Sequence, residues 1–273
     1  MQMDLLQQFA DRLDSAFDAS GVDAIEGSAG ALAELAASPV IPAAVATELA
    51  ILERDGNTSA AQWNGAELVL AARSRWLLAV SFYRNRIEST VTSVPNVGLV
   101  SLLSGEAEMT LFDLPRGFDP DRFDRQARLG SASSHALGDA PLLVDGRRHA
   151  VRMKVARPSV VLRLFSSHIS DFQWRFDAGT GKPLDMSVAQ QSDTELESMM
   201  QMVAALGTPN ATQLLESLCG HRNHTIRWKA IQLLARRDRD AAIERLHHAT
   251  GDPHPEIRHA ATTTLARLEG EPA

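Results

Sequence analysis

The sequence has little cysteine: Cys219 is the only one in 273 residues, and this excludes an intramolecular disulfide. It also lacks a segment that combines a basic start, an apolar run and a small-residue cleavage site. No apolar run reaches the roughly 18 to 20 residues that a membrane span requires. Together these absences predict a cytoplasmic protein that is not embedded in a membrane.

The sequence also has fewer basic than acidic residues. It contains 27 Lys and Arg residues and 34 Asp and Glu residues, which gives a net charge of −7. A chain of this sign is repelled by a nucleic-acid backbone. Lys and Arg do not gather into a long stripe with interleaved aromatic side chains. Nucleic acid is therefore an unexpected partner.

Three kinds of pattern follow one another along the chain. Residues 1–55 repeat apolar side chains at helical spacing and predict helices that pack on the β-domain. Residues 60–183 hold short runs rich in Val, Leu and Phe between Gly, Pro and Asp turns, which predict an antiparallel β-sandwich or jelly roll. Helical spacing returns in residues 190–269. The predicted fold class is α+β.

The β-domain is predicted as a series of short strands. They are expected at residues 67–73, 76–83, 86–92, 97–103, 107–113, 141–145, 148–154, 159–165 and 172–177. The segment 117–128 breaks this pattern. We expect its Phe118 and Phe123 to hold a loop or a short helix against the sheet.

An internal repeat with an offset of 31 residues marks the C-terminal part. Nine residues of the first unit are identical to the residues 31 positions later in the second. In the first unit they are Ala211, Leu215, Gly220, Ile226, Arg227, Ala230, Leu234, Ala235 and Arg236. Each unit reads as helix, polar turn, helix, and the repeat resembles the HEAT family. One such hairpin cannot bury its apolar face alone, so we expect a helix at 193–206 to cap the repeats and pack on the β-domain.

The β-domain also carries a spacing of Gly138, seven residues, Gly146, two residues and His149, which is similar to the second cupin motif. Residues 82–85 (Phe-Tyr-Arg-Asn), a hairpin closed by Gly105 and residues 160–166 and 176–181 resemble the cysteine-dioxygenase branch of the cupins. The domain therefore resembles a degenerate cysteine-dioxygenase-like cupin.

That family holds iron with three neutral imidazoles, two from a His-x-His pair and one from the second motif. The resemblance places the pair at Val91 and Ser93, which cannot replace imidazoles, and the third ligand at His149. It implies a site without its metal, so no cofactor is expected, with iron as the alternative. A rebuilt site formed by His149, His135 and Asp145 stays open.

Arg84 matches the family's arginine that pairs with a substrate carboxylate. An arginine in the middle of an apolar strand must find a carboxylate or solvent, because it cannot lose its charge. It therefore holds either a ligand or an internal acid such as Glu88 or Asp177. The ligand-binding candidates are Arg84, Tyr83, His149 and His135.

The histidines and the cysteine also have structural interpretations. His135 would lie in a Ser-rich loop, and His149 would be a hydrogen-bonded core histidine. The C-terminal histidines are expected in turns and on outer helix faces rather than around a metal; they are His221, His224, His247, His248, His254 and His259. Cys219 is expected to be buried rather than reactive.

Positive charge concentrates on the repeats, at Arg222, Arg227, Lys229, Arg236, Arg237, Arg245 and Arg258, together with Trp228. Arginine and aromatic side chains are favoured at interfaces, and this surface would suit an acidic peptide or protein segment. The other interpretation packs Trp228 under the β-domain and leaves the arginines solvated. The partner-binding candidates are Arg227, Trp228, Arg258 and Arg236.

These patterns predict a non-catalytic binding or accessory protein. A metal-depleted cupin-like domain and a short HEAT-repeat platform would bind a peptide, a protein partner, a second copy of the chain or a small acid. The alternative is a cupin-type metal-dependent dioxygenase that acts on a small thiol or amino acid. A third reading is a sensor whose pocket relays the binding of a small acid to the repeats.

Overall fold

A computed structural model describes residues 2–54, 63–64, 67–189, 191–221 and 223–270. The chain divides into two units, Met1–Ala189 and Gln190–Ala273. The first holds helices and a sheet, and the second holds helices. The predicted fold class, with a helical N-terminal segment, an antiparallel β-domain and C-terminal helical repeats, is confirmed.

Helices begin the first unit, as the apolar spacing predicted. They are α1 (Gln2–Ser20), a 3-10 turn (Gly21–Asp23), α2 (Ala24–Gly27), α3 (Ala29–Ala37) and α4 (Val40–Arg54). Among the described residues, no single helix is long and apolar enough for a membrane crossing, and α3 and α4 pass that test only as a pair bent by 58°.

Eleven strands form the sheet that the structure describes. They are β1 (Trp63–Asn64), β2 (Glu67–Ala72), β3 (Trp76–Tyr83), β4 (Arg86–Ile87), β5 (Thr90–Ser93), β6 (Val97–Asp113), β7 (Ala132–Ala136), β8 (Leu142–Asp145), β9 (His149–Ser166), β10 (Phe172–Asp177) and β11 (Pro183–Val188). The main path runs β1-β2-β3-β9-β5-β10-β11, while β6 pairs with β7, β8 and β9, and β4 pairs with β9. All the described pairings are antiparallel.

The N-terminal helices share a core with the sheet. Leu13 and Leu32 pack in one cluster with Trp76, Leu78 and other buried strand residues. The Trp76 indole Nε1 donates a hydrogen bond of 2.7 Å to Asp14 Oδ1, which satisfies the one polar atom of that buried ring. Apolar burial therefore joins α1 and α3 to this part of the sheet.

Two predicted strand pairs are single long strands. Residues 97–103 and 107–113 form β6, and residues 148–154 and 159–165 form β9. The expected hairpin at Gly105 is wrong, because Gly105 lies inside β6, where the register to β9 shifts. Its φ is 102°, and a Cβ there would lie 2.4 Å from the Pro158 carbonyl oxygen. A glycine makes this bulge possible.

Other strand boundaries differ as well. The predicted strand 86–92 is split into β4 and β5, and β7 and β11 were not predicted at all. β7 has the sequence Ala-Ser-Ser-His-Ala, whose small polar residues are typical of loops, and it is a strand because it pairs along β6. The segment 117–128 is a loop with turns, as expected, and Phe118 and Phe123 pack against Trp174.

The second unit is built from helical hairpins. Its helices are α5 (Gln191–Leu206), α6 (Ala211–Leu218), α7 (His224–Ala235), α8 (Arg239–Ala249) and α9 (Pro255–Gly270). Asn223 and Asp238 cap α7 and α8, because their side-chain oxygens accept hydrogen bonds from the backbone N–H groups of Thr225 and Ala241. Met200 of α5 lies in the core of the first hairpin with Leu215 and Ile226, so α5 covers one end of that core.

Candidate functional site

A cavity of about 130 Å³ lies in the sheet of the first unit. Most of its lining is apolar and comes from β6, β8 and β9, and its polar members are Tyr83, Arg86, Glu88 and Arg163. Arg163 Nη1 donates to the Tyr83 hydroxyl at 2.9 Å and pairs with Glu67. Arg86 pairs with Glu88, so both cationic groups of this pocket are already paired with internal carboxylates.

Arg163 was missed as a site residue, although it interrupts the apolar run 160–165. Arg84 takes a different position from the one expected. β3 ends at Tyr83, and Arg84 is an exposed residue beyond that end rather than a mid-strand residue inside the sheet. Glu88 instead accepts from Arg86 at 2.5 Å, and Asp177 accepts from Thr180 at 2.7 Å.

The sheet register separates His149 from the positions aligned with the missing imidazole pair. Ser93 is paired with Ala150, and Val91 shares its face of β5. Val91 and Ala150 lie in one buried cluster. Because neighbouring residues of a strand point to opposite faces, His149 faces away from Val91 and Ser93. Imidazoles at those two positions would therefore not converge with His149.

The three residues of the rebuilt site are not brought together. His135 pairs with Met109 on one side of β6, and His149 pairs with Asp113 on the other side. These partners are four residues apart in β6, or about 13 Å at 3.3 Å per residue. Asp145 is joined to His149 by a turn of three residues, but its carboxylate binds the Arg147 guanidinium. The ligand atoms of one metal ion lie about 3 to 4 Å apart. Among the described residues, His135, His149 and Asp145 do not form a group whose ligand atoms lie within 4.8 Å of one another.

Each of these side chains has its own surroundings. His135 Nε2 is 3.0 Å from Ser133 Oγ, in a strand rather than the expected loop. Asp145 is buried and receives hydrogen bonds from the Arg147 guanidinium. Burial raises the pKa of Asp145, but these bonds outweigh it and the pKa is lowered. His149 Nδ1 is buried without a hydrogen-bond partner among the described residues, unlike the expected hydrogen-bonded histidine.

A larger groove lies in the second unit, between α5 and α7. Its volume is about 880 Å³, and its lining includes Met202, Leu233, Lys229, Arg236 and Arg237. Lys229 Nζ is 3.3 Å from Glu197 Oε1. The groove thus combines apolar contact surface with a surplus of positive charge.

Two of the predicted partner-binding arginines bind the repeats themselves. Arg227 is buried, and its Nε and Nη2 donate to Asp252 at 2.8 and 2.6 Å. Arg258 Nη1 donates to the carbonyl oxygens of Asp252 and Pro253 at 2.7 and 2.9 Å. Arg236 is exposed, and Trp228 is half-buried against the apolar core of the second hairpin. Arg222 lies outside the described residues.

The C-terminal histidines do not all lie on outer faces. His224 is buried, at 8 % exposure, and its ring stacks on that of His254 with centroids 3.6 Å apart and planes inclined by 6°. Burial lowers the pKa of His224 to about 4, and His254 and Arg227 act in the same direction. Ligand atoms of these two histidines and of Glu256 lie within 4.8 Å of one another.

Cys219 lies at the end of α6 and is partly buried between the two hairpin cores. Its Sγ is 3.3 Å from the Leu215 carbonyl oxygen. Burial raises the pKa of the thiol to about 11. This is the environment of a structural cysteine rather than of a nucleophile.

The architecture defines a two-unit protein in which a helix-covered antiparallel sheet is followed by helical-hairpin repeats. A family model described as HEAT repeats matches residues 211–273, which agrees with the repeat found in the sequence. None of the curated proteins matches the chain in sequence.

Solved structures are similar to part of the chain. A protein of unknown function from Streptococcus pyogenes is 15% identical, with 38% of this chain and 75% of that chain covered and a TM-score of 0.26. A cupin superfamily protein from Desulfitobacterium hafniense is 14% identical, with 37% and 74% covered and a TM-score of 0.25. Hydroquinone 1,2-dioxygenase from Sphingomonas, with 4-hydroxybenzoate bound, is 14% identical, with 39% and 68% covered and a TM-score of 0.29.

Proposed function

We propose that this chain is a non-catalytic binding protein of the cytoplasm whose repeat unit binds an acidic, amphipathic segment of a protein partner. The groove between α5 and α7 carries this proposal. It offers the exposed Met202 and Ala205 for apolar contact and Arg236 and Arg237 for carboxylates, within a volume of about 880 Å³. Apolar contact surface next to arginine is the chemistry of an interface anchor.

The charge of the groove supports an acidic partner in particular. Residues 217–237 contain no Asp or Glu, although the whole chain is acidic. Met199, Met202 and Leu206 are exposed at helical spacing along α5, with exposures of 58, 58 and 78 %. An acidic helix with one apolar face would match both features, and its carboxylates would hasten association through long-range attraction.

A labelled 15-residue helical peptide with leucines on one face and glutamates on the other tests the proposal by fluorescence anisotropy. We expect binding that weakens with salt and falls at least tenfold in the double variant Arg236→Glu/Arg237→Glu. Arg239→Glu/Arg267→Glu is the matched control, since it reverses two charges at exposed arginines outside the groove lining. The proposal would be disproved if the double variant bound the peptide as tightly as the wild type does. It would also be disproved if a peptide with lysines in place of the glutamates bound the wild type equally well.

We propose for the first unit a cupin-like pocket without an iron centre. The aligned positions Val91 and Ser93 bring no imidazole, and they face away from His149. The residues present therefore do not fit iron held by three histidines. The alternative, an oxygenase, would need His149 as a metal ligand. The Nδ1 atom of His149 is buried and has no hydrogen-bond partner among the described residues, so the alternative is worth testing.

Elemental analysis of protein purified without added metal separates the two readings of this unit. We expect less than a tenth of an equivalent of iron, unchanged in His149→Ala. Stoichiometric iron that disappears in His149→Ala would establish the oxygenase instead. Light scattering of the same sample tells whether a second copy of the chain is the partner, because occupation of the groove by a copy would give a dimer that Arg236→Glu/Arg237→Glu dissociates.

A further inference from the structure

At the N-terminal ends of α7 and α9, the second helices of the two hairpins, three side chains of types that can bind metal ions lie close together. His224 is the first residue of α7, Glu256 is the second residue of α9, and His254 directly precedes α9. Their ligand atoms lie within 4.8 Å of one another. His254 and Glu256 follow His224 by 30 and 32 positions in the sequence, so the packing of the two hairpins creates the cluster.

We propose that His224, His254 and Glu256 form a binding site for a zinc-type divalent ion that links the two hairpins. Two imidazoles and one carboxylate are a donor set that zinc accepts, with a fourth position left for water or another ligand. This inference is independent of the proposed peptide groove and of any iron site in the first unit.

The surroundings allow such an ion to enter and be held. A cavity of about 350 Å³ is lined by His224 and Glu256, so the cluster is open to solvent on that side. The positive charges beside it are paired: Arg227 binds both oxygens of Asp252, and Lys229, which lines the same cavity, pairs with Glu197.

The rings must leave their parallel stack to share an ion. Two nitrogens on a tetrahedral zinc ion are roughly 3.3 Å apart for bonds of about 2.0 to 2.1 Å. The centroids of the parallel rings are 3.6 Å apart, but parallel rings direct their lone pairs side by side. Rotation of the two imidazoles about their Cβ–Cγ bonds would make those lone pairs converge. The exposed Glu256 side chain can then close the third position.

Helix polarity makes Glu256 the most sensitive member. The N-termini of α7 and α9 carry partial positive charge, which opposes a cation at this place. A carboxylate offsets that charge, whereas a neutral amide of the same shape does not. Glu256→Gln is therefore the sharpest variant, and because the residue is exposed the change leaves the apolar core intact.

Titration of the full-length, tag-free and chelator-treated protein with Co²⁺ tests the site. We expect visible d–d absorption that saturates at one equivalent and disappears when Zn²⁺ is added. Glu256→Gln and His254→Gln should each weaken Co²⁺ binding at least tenfold, while His247→Gln and His259→Gln, which replace exposed histidines, should bind as the wild type does. With Zn²⁺ at 100 times its Kd, we expect the melting temperature to rise by about 10 °C.

Three results would overturn the site. The first is the absence of Co²⁺ absorption and of a thermal shift with Zn²⁺. The second is binding that survives both Glu256→Gln and His254→Gln. The third is binding that depends on His247 or His259. Circular dichroism of each variant shows that it is folded, so that loss of binding is not confused with loss of structure.

Discussion

Arg227 and Asp252 form a bidentate ion pair between the two helical hairpins, with N···O distances of 2.8 and 2.6 Å and side-chain exposures of 10 and 8 %. The Arg227 Nη1 also donates to the His221 carbonyl oxygen at 2.9 Å. At the position 31 residues later, Arg258 makes the equivalent bond to the Asp252 carbonyl oxygen. The repeated arginine thus holds its own turn in both hairpins, and in the first hairpin it also binds the next one.

We expect Asp252→Asn to lower the free energy of unfolding by about 3 to 5 kcal/mol, because it leaves the buried Arg227 charge without its counter-ion. The double variant Arg227→Met/Asp252→Asn should cost less, since the amide oxygen can still accept from the His254 N–H and no uncompensated charge remains. Arg258→Met, at an exposed site, should cost about 1 kcal/mol or less. Urea unfolding measures all three, and a double variant less stable than Asp252→Asn would contradict the ion-pair argument.

Acid should destabilise the repeats in two separate ranges of pH. The folded pKa of His224 is lowered to about 4 from an ordinary value of 6.5, chiefly by burial, so the unfolded chain binds more protons between these values. Stability is then full above pH 6.5 and falls as the pH drops toward 4. The pKa of Asp252 is lowered because its bonds to Arg227 outweigh burial, so its contribution is lost below pH 3.8.

Urea unfolding at a series of pH values in the presence of a chelator checks this. We expect His224→Phe to flatten the slope between pH 6.5 and 4 and to leave the loss at lower pH unchanged. His247→Phe is the matched control at an exposed histidine of α8. A slope between pH 6.5 and 4 that is the same in His224→Phe as in the wild type would rule out His224 as its source.

Gly105→Ala should destabilise the first unit by at least about 2 kcal/mol. The residue has a φ of 102°, which is strained for alanine, and its Cβ would lie 2.4 Å from the Pro158 carbonyl oxygen. Gly30→Ala is the control, because a Cβ there meets nothing within 4 Å and Gly30 lies in α3. That change should stabilise by about 0.5 to 1 kcal/mol. Thermal unfolding followed by circular dichroism compares them, and equal effects would contradict the bulge geometry.

Cys219 should react slowly with a disulfide reagent such as dithionitrobenzoate. Burial raises the pKa of its thiol to about 11, so at pH 8 the thiolate fraction falls by about 100-fold or more relative to a free cysteine. We expect the full rate to return in urea. A native protein that reacts as fast as the unfolded chain would show that the thiol is accessible.

Local patterns in the sequence determined the class of each segment. Apolar residues at three- and four-residue spacing identified the helices, and the 31-residue offset identified the hairpins that the HEAT repeat model matches. These are properties of neighbouring residues, and a chain of known sequence already contains them. The continuity of the strands was harder to predict. Gly105 lies in a bulge inside β6, and the sequence alone does not distinguish such a glycine from one that ends a strand in a turn.

Tertiary structure alone decided which side chains meet. Arg163 and Glu67 are 96 residues apart, and strand register places them together; His224 and His254 meet because two hairpins stack. The candidates His149, His135 and Asp145 share a domain, yet among the described residues the fold does not gather their ligand atoms into one cluster. A residue's chemistry is local, but its partners depend on long-range packing and on which face of a strand it occupies.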